Sequence, residues 1–130
     1  MRNLQSDVRA FQVGAGQVEL PAVPTFVTAW SLGLTLIKEE VRELEESMQD
    51  RDMPAIADGI ADGIYVLLWT ANALGIDLEP VWNTIQSANM EKVSPAVFRE
   101  DGKLLKPPGW KHPDIATILE AQGWRKDRDG

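Results

Sequence analysis

The stretch from Pro54 to Leu74 constrains the fold more than any other part of the sequence, because apolar residues fall on most sides of a helix drawn through it. Such a helix is buried on more than one side or lies in a subunit interface. It nevertheless carries Asp58 and Asp62, which are four residues apart and so share one face, and a buried carboxylate needs a partner or a metal ion. Gly59 and Gly63 each cost a helix about 1 kcal/mol, which indicates a close approach to this backbone.

The remaining sequence also shows helical spacing, and no segment has convincing strand alternation. Gly14 and Gly16 are expected to end a first helix, and Thr25 is the expected N-cap of a long second one. Residues 91–111 are rich in turn signals and predict an irregular loop. Four helices in up-down order predict a single all-α domain over residues 1–130 with its core at about 25–115, a four-helix bundle with a short terminal helix. The predicted helices cover 3–13, 25–49, 54–74, 78–90 and 113–122.

Charge and composition exclude several classes of protein. The net charge of −7 makes binding to a nucleic-acid backbone a poor hypothesis, because phosphate contacts need clustered Lys and Arg. No apolar run approaches the roughly 18 residues that a membrane span requires, and the N-terminus does not resemble a signal peptide. We therefore expect a cytoplasmic protein. There is no cysteine, so thiolate metal sites and cysteine nucleophiles are excluded.

The second helix contains a run of acids in the stretch KEEVRELEE. A residue advances about 100° around a helix, so Glu39 and Glu43 lie in one stripe with Glu40 beside them. One interpretation is a solvated helix face, partly compensated by Lys38 and Arg42. The acids of the next helix favour a different interpretation.

A short turn at Asp50 makes the second and third helices antiparallel neighbours. Glu40 and the pair Asp58 and Asp62 lie at comparable distances from that turn, so the acids of both helices are expected at a similar height. Up to five carboxylates around one spot require cations. Oxygen ligands without cysteine or a usable histidine favour hard ions, so Mg²⁺ or Mn²⁺ is the expected occupant.

Four pieces of the chain, in order and spacing, resemble the MazG-like all-α NTP pyrophosphohydrolase superfamily, which includes phosphoribosyl-ATP pyrophosphohydrolase and the dimeric dUTPases. They are LIKEEVRELEE, IADGIADGIYVLLWTANALGID, NMEKV and REDGKLLKPPGWKHPDI, and they span about Leu36 to Ile115. The resemblance implies a bundle of the MazG-like type that is a dimer or tetramer. It also implies hydrolysis of a nucleoside triphosphate between its α and β phosphates, with Mg²⁺, giving a nucleoside monophosphate and pyrophosphate.

The resemblance also implies roles for single residues. Glu40 and Glu43 match a metal-binding Glu-x-x-Glu, and Asp62 matches the last acid of a second pair. Many members carry a glutamate where this chain has Gly59, and Asp58 stands one residue earlier. The implied site has Glu39 as the base that activates water, the metal ligands Glu40, Glu43, Asp58 and Asp62, and the substrate contacts Asn89, Lys92, Lys103, Lys106 and Trp110.

The sequence is compatible with more than one substrate. The REDGKLLKPPGW stretch resembles the phage-like and dUTPase-like branch, which favours a deoxynucleoside triphosphate such as dUTP, dCTP or dGTP; phosphoribosyl-ATP is the alternative. A non-catalytic helical module, whose acids bind a basic partner, is a second alternative. Trp110 would either stack on a base or attach the loop to the bundle, and His112 is expected to be structural or exposed. The candidates for base contact are Trp30, Trp69, Trp82 and Trp110.

Overall fold

A computed structural model describes residues 3–126. This part of the chain is helical and has no β-strand; the one bridge pairs Phe98 with Leu104 in the loop before the last helix. The predicted all-α bundle with a short terminal helix is confirmed. The helices are α1 (Leu4–Ala15), α2 (Ala29–Gln49), α3 (Met53–Ala73), α4 (Leu78–Met90) and α5 (Ile115–Ala121).

Side-chain caps explain where most helices begin. Asn3, Asp52, Asp77 and Asp114 each accept a hydrogen bond from a backbone N–H in the first turn of the helix that follows. The exception is α2, which is preceded by Thr28 without a side-chain cap.

The prediction that Thr25 caps the second helix is wrong. The backbone N–H of Thr25 donates instead to the carbonyl of Leu74 at 3.0 Å, at the end of α3. This long-range bond holds the connection against the bundle, so the helix starts only at Ala29.

Glycines allow α2 and α3 to pack closely as an antiparallel pair. A Cβ atom placed on Gly33 would lie 2.6 Å from Thr70 Oγ1, and one on Gly59 would lie 3.2 Å from Leu44 Cδ1. The close approach predicted at Gly59 is therefore confirmed. The one predicted at Gly63 is wrong, since a Cβ there meets no neighbouring atom within 4 Å in residues 3–126.

The hydrophobic core lies between α1 and α3, with Val8 of α1 against the C-terminal half of α3. Trp69 is 3% exposed and Ala73 is fully buried. Leu32 and Leu36 of α2 pack on this cluster from the side. The core therefore fixes α3 on two sides, as its apolar sequence predicts.

Three amide side chains join α1 to α3 and α4; we call them the amide network (Gln5, Gln12 and Asn72). Asn72 Nδ2 donates to Gln12 Oε1 at 2.9 Å, and Gln12 Nε2 donates to the Trp69 carbonyl at 3.0 Å. Gln5 Nε2 donates to Asn72 Oδ1 at 2.9 Å, while Gln5 Oε1 accepts from the N–H of Leu78 at 2.9 Å. Gln12 and Asn72 are buried, and these bonds satisfy their polar groups.

A row of apolar side chains on each of α2 and α3 is exposed. Spacings of three, four and seven residues place each row on one side of its helix. We call the two rows together the apolar face. It consists of Trp30, Leu34, Val41 and Met48 on α2 and of Met53, Ile60, Ile64 and Leu67 on α3. Within residues 3–126, no helix is both long and apolar enough to cross a membrane.

Candidate active site

Two antiparallel helices bring five predicted acids together. The contacts at Gly33 and Gly59 share one register, and the same register places Glu40 of α2 level with Gly63 of α3. Both helices therefore contribute carboxylates at this height, as the sequence predicts. We call these residues the acidic cluster: Glu39, Glu40 and Glu43 from α2, and Asp58 and Asp62 from α3.

Glu40 interacts with every other member of the acidic cluster. Burial raises the pKa of its carboxyl most, followed by the negative charges of Glu43 and Asp62 and then those of Asp58 and Glu39. Its Oε2 atom is shielded from solvent and has no hydrogen-bond partner within the described part of the chain. A buried hydrogen-bond acceptor that lacks a donor is energetically unfavourable.

Asp62 is the second carboxyl with a perturbed ionisation. Burial raises its pKa, and the charge of Asp58, a hydrogen bond with the Asp58 carboxyl and the charge of Glu43 raise it further. The two aspartates thus lie in contact on one face of α3. The prediction that both are buried is wrong, since Asp62 is half-buried and Asp58 is exposed. The close contact of α3 with α2 is at Gly59, and this leaves Asp58 beside the helix interface.

The donor atoms of the acidic cluster suit a hard divalent cation, since all are carboxylate oxygens. The unpartnered Glu40 Oε2 and the mutual repulsion of the five acids support the same fit. In residues 3–126, however, no three Asp, Glu or His side chains converge closely enough to hold one ion. Glu39 and Glu43 are exposed, so no neighbouring side chain of the described residues encloses their carboxylates in this arrangement. The fit to such a cation therefore rests on the chemistry of the donor atoms, and the carboxylates of the acidic cluster do not converge on one point.

A second group of predicted residues lines a cavity of about 320 Å³ between the end of α4, the loop and the start of α5. It includes Asn89, Lys92, Lys106 and Trp110, together with His112. Apolar side chains such as Ile85 and Ile115 form the rest of the wall. Its size lies within the range of small-molecule sites.

Trp110 organises this cavity. Its indole N–H donates to the carbonyl of Ala88 on α4 at 2.8 Å. The ammonium groups of Lys92 and Lys106 lie 4.5 Å and 5.3 Å from the centre of its rings. Lys92 Nζ also donates to Asn89 Oδ1 at 3.0 Å. Of the two roles expected for Trp110, the observed contacts are those of a loop attachment.

Other predicted residues lie elsewhere. Lys103 is in the turn closed by the bridge between Phe98 and Leu104, where its carbonyl accepts from Arg99 N, and its side chain does not line the cavity. Trp69 belongs to the hydrophobic core, so it is wrong as a candidate for base contact.

Two features are not predicted from the sequence. The amide network between α1 and α3 has only a weak signal there, an asparagine among the apolar residues of α3. His112 is exposed, as one of its two expected roles requires, and it also lies on the wall of the cavity beside Lys106 and Trp110, a place that is not predicted from the sequence.

The chain matches a family model described as phosphoribosyl-ATP pyrophosphohydrolase over residues 21–89, more than half of its 130 residues. The match includes all of α2 and α3, and so the whole acidic cluster, and it reaches Asn89 on α4. A comparison with curated proteins finds no matching sequence.

Proposed function

This chain belongs to the phosphoribosyl-ATP pyrophosphohydrolase family, within the MazG-like all-α superfamily, and on that premise we propose that it hydrolyses a nucleoside triphosphate between the α and β phosphates. The products are a nucleoside monophosphate and pyrophosphate. The observation that carries the proposal is the acidic cluster inside the matched region, with Glu40 at its centre. A solvated helix face accounts less well for a carboxylate oxygen that has neither solvent nor a hydrogen bond.

Glu40, Glu43, Asp58 and Asp62 are the residues that would hold Mg²⁺ or Mn²⁺. When bound, such an ion neutralises phosphate charge and lowers the pKa of an attacking water. Burial, together with the charges of the other acids, raises the pKa of Glu40 and of Asp62, so a nearby cation would favour the charged form of both. Asp58 is included among these residues because its carboxyl contacts that of Asp62. It is exposed, so an ion that enters from solvent can reach it.

Glu39 is the proposed base that takes the proton of the water. It lies on α2 next to Glu40 and is exposed, so its carboxylate is free to reach a water molecule beside the cluster. The negative charge of Glu39 raises the pKa of Glu40, so the two carboxylates are close enough to interact.

The proposed substrate contacts are Asn89, Lys92, Lys103, Lys106 and Trp110. Lys92 and Lys106 supply two positive charges in a cavity with an apolar floor. Lysine is a suitable point charge for a phosphate group. Trp110 holds the loop on α4 through Ala88 and keeps both ammonium groups near one another. Lys103 would join them only if the turn of residues 98–104 closed over the substrate.

We prefer a deoxynucleoside triphosphate (dUTP, dCTP or dGTP) as the substrate, on the strength of the loop sequence. The family match makes phosphoribosyl-ATP the second candidate, because that is the activity for which the family is named. In both substrates the bond between the α and β phosphates is broken. They differ in the groups attached to the nucleoside. Kinetic comparison of both substrates therefore decides between them.

We also propose that the chain is a homo-oligomer, a dimer or tetramer, that acts in the cytoplasm. The apolar face supports the first part, since rows of exposed apolar side chains on two adjacent helices are typical of an interaction surface. Val41 is 60% exposed and Met53 is 72% exposed. A second copy of the same face would cover them.

Pyrophosphate release from a panel of (d)NTPs and phosphoribosyl-ATP, with and without Mg²⁺ or Mn²⁺, tests the proposal. We expect release from at least one substrate, only with the metal, and loss of release in Glu40→Gln. No release from any of them would favour a non-catalytic helical module. Release that persists after metal removal would contradict the proposed role of the acidic cluster.

A further inference from the structure

The cavity beside Trp110 contains a titratable side chain that the proposed reaction does not use. We propose that His112 supplies a third, proton-dependent positive charge there, and that with Lys92 and Lys106 it binds a phosphate-bearing anion such as pyrophosphate. This inference rests on the proposed function only for the identity of the anion, which is the polyphosphate part of the substrate or the product released from it.

The charge around the cavity favours an anion. Lys92 and Lys106 line it, and in the described part of the chain no carboxylate does, although the whole protein has a net charge of −7. Asp114, two residues after His112, directs its carboxylate to the first turn of α5, where it accepts from the N–H and the hydroxyl of Thr117. The titratable groups that face His112 across the cavity are therefore cations.

His112 contacts both Lys106 and Trp110 in the cavity wall. Its Nε2 atom lies 3.3 Å from Lys106 Nζ, and its ring meets Trp110 edge-on at 4.9 Å between centroids. An ammonium group has only donors, so this contact is a hydrogen bond when Nε2 acts as the acceptor. A proton on Nε2 would instead place two donors against each other, and a bound anion could accept from both.

A bound phosphate group favours a proton on Nε2. Its oxygens accept hydrogen bonds and its charge favours the imidazolium, so Nε2 takes a proton from solvent and becomes a donor toward the anion. Lys106 Nζ then donates to the anion as well, instead of to His112. Binding of the anion and protonation of His112 are thus linked, and each favours the other.

The protein has a single histidine, so its imidazole gives one resolved set of ring resonances that needs no assignment. We would follow the Cε1 proton by NMR against pH in metal-free buffer, with and without saturating pyrophosphate. The expected result is a titration midpoint that moves to higher pH by about one unit when pyrophosphate is bound. Sulfate, which does not titrate in this range, should move it in the same direction.

Two variants separate this inference from the proposed function. Lys92→Ala should reduce the pyrophosphate-induced shift, whereas Glu40→Gln, in the acidic cluster, should leave it unchanged. A midpoint that stays in place at saturating pyrophosphate would overturn the inference, even if the protein releases pyrophosphate from nucleotides. A shift in a protein that hydrolyses no nucleotide would support the anion site and count against the proposed function alone.

Discussion

Thr70 of α3 leaves no room for a side chain at Gly33 of α2, because a Cβ atom there would lie 2.6 Å from its Oγ1 and 3.0 Å from its Cγ2. Thr70 is itself held by a hydrogen bond from Oγ1 to the carbonyl of Val66 at 2.8 Å. Overpacking costs about 1–3 kcal/mol and the gain in helix propensity from Gly to Ala is about 1 kcal/mol. We expect Gly33→Ala to lower the free energy of unfolding by about 1 kcal/mol.

Gly63→Ala is the matched control for this prediction. The same helix pair has open space at Gly63, so alanine there should be neutral or stabilising by up to about 1 kcal/mol. Urea denaturation followed by circular dichroism, at one protein concentration, compares the two variants. If Gly33→Ala proves as stable as Gly63→Ala, the two helices are further apart than described. Adding Thr70→Ala to Gly33→Ala should restore stability.

Replacing the central carboxylate should abolish catalysis without unfolding the protein. Glu40→Gln and Glu43→Gln each remove a charge that the proposed cation needs, so we expect kcat to fall roughly 100-fold or more. Pyrophosphate release with Mg²⁺ measures this, and circular dichroism monitors the fold. Glu45→Gln, an exposed neighbour outside the acidic cluster, serves as the control and should keep near wild-type activity. Full activity in either cluster variant would contradict the site assignment.

The acidic cluster should destabilise the metal-free protein at neutral pH. Folding raises the pKa of Glu40 above 4.5, so its contribution to stability is full below pH 4.5 and is lost as pH rises through the raised value. Glu40→Gln has no ionisable group at this position, so its stability does not fall in this way as the pH rises. We expect its melting temperature to exceed that of wild type by about 2 °C at pH 7.5 and to lose that advantage at pH 4. Mg²⁺ should stabilise the wild type more than the variant. Identical pH dependence in the two proteins would refute the coupling.

Loss of the loop attachment should weaken substrate binding. Trp110→Phe keeps an aromatic ring but cannot donate to the Ala88 carbonyl, and one such bond is worth about 1 kcal/mol. We therefore expect KM to rise about two- to tenfold with kcat little changed, and trypsin to cleave the loop after Lys103 more readily. Asn83→Ala, at an exposed position on α4 that does not line the cavity, provides a comparison that should change neither readout.

A charge in the apolar face should dissociate the proposed oligomer. Ile60 is 47% exposed on α3, and a glutamate there would be buried without a partner in any interface that uses this face. Ile60→Glu should shift the mass in sedimentation or light scattering to that of the 14.4 kDa monomer. Gln86→Glu on the exposed side of α4 should leave the assembly intact. A wild type that is already monomeric at high concentration would refute the proposal directly.

Local signals predict most of the fold. Asp52 and Asp77 cap α3 and α4, and Gly16 in a left-handed conformation ends α1, so these boundaries follow from nearby residues. The start of α2 is different, because the bond from Thr25 to Leu74 joins residues 49 positions apart. No local pattern carries that information.

The same distinction applies to the candidate site. Helical spacing and a short turn suffice to bring Glu40 and Asp62 together. The exposure of Asp58 depends on how α3 is rotated against α2, which the contact of Gly59 with Leu44 decides. The place of His112 depends on the loop folding back onto α4, through a bond between Trp110 and Ala88 that spans 22 residues.

The amide network has a practical consequence for the boundaries of this domain. A protein cut to the matched residues 21–89 would lack α1, so Asn72 would lose its bonds to Gln5 and Gln12 and Trp69 would lose its cover from Val8. An amide without its partners and an uncovered indole near the C-terminal end of α3 favour aggregation. The smallest piece that can be expressed as a stable protein therefore begins upstream of α1, well before the first residue that the family model matches.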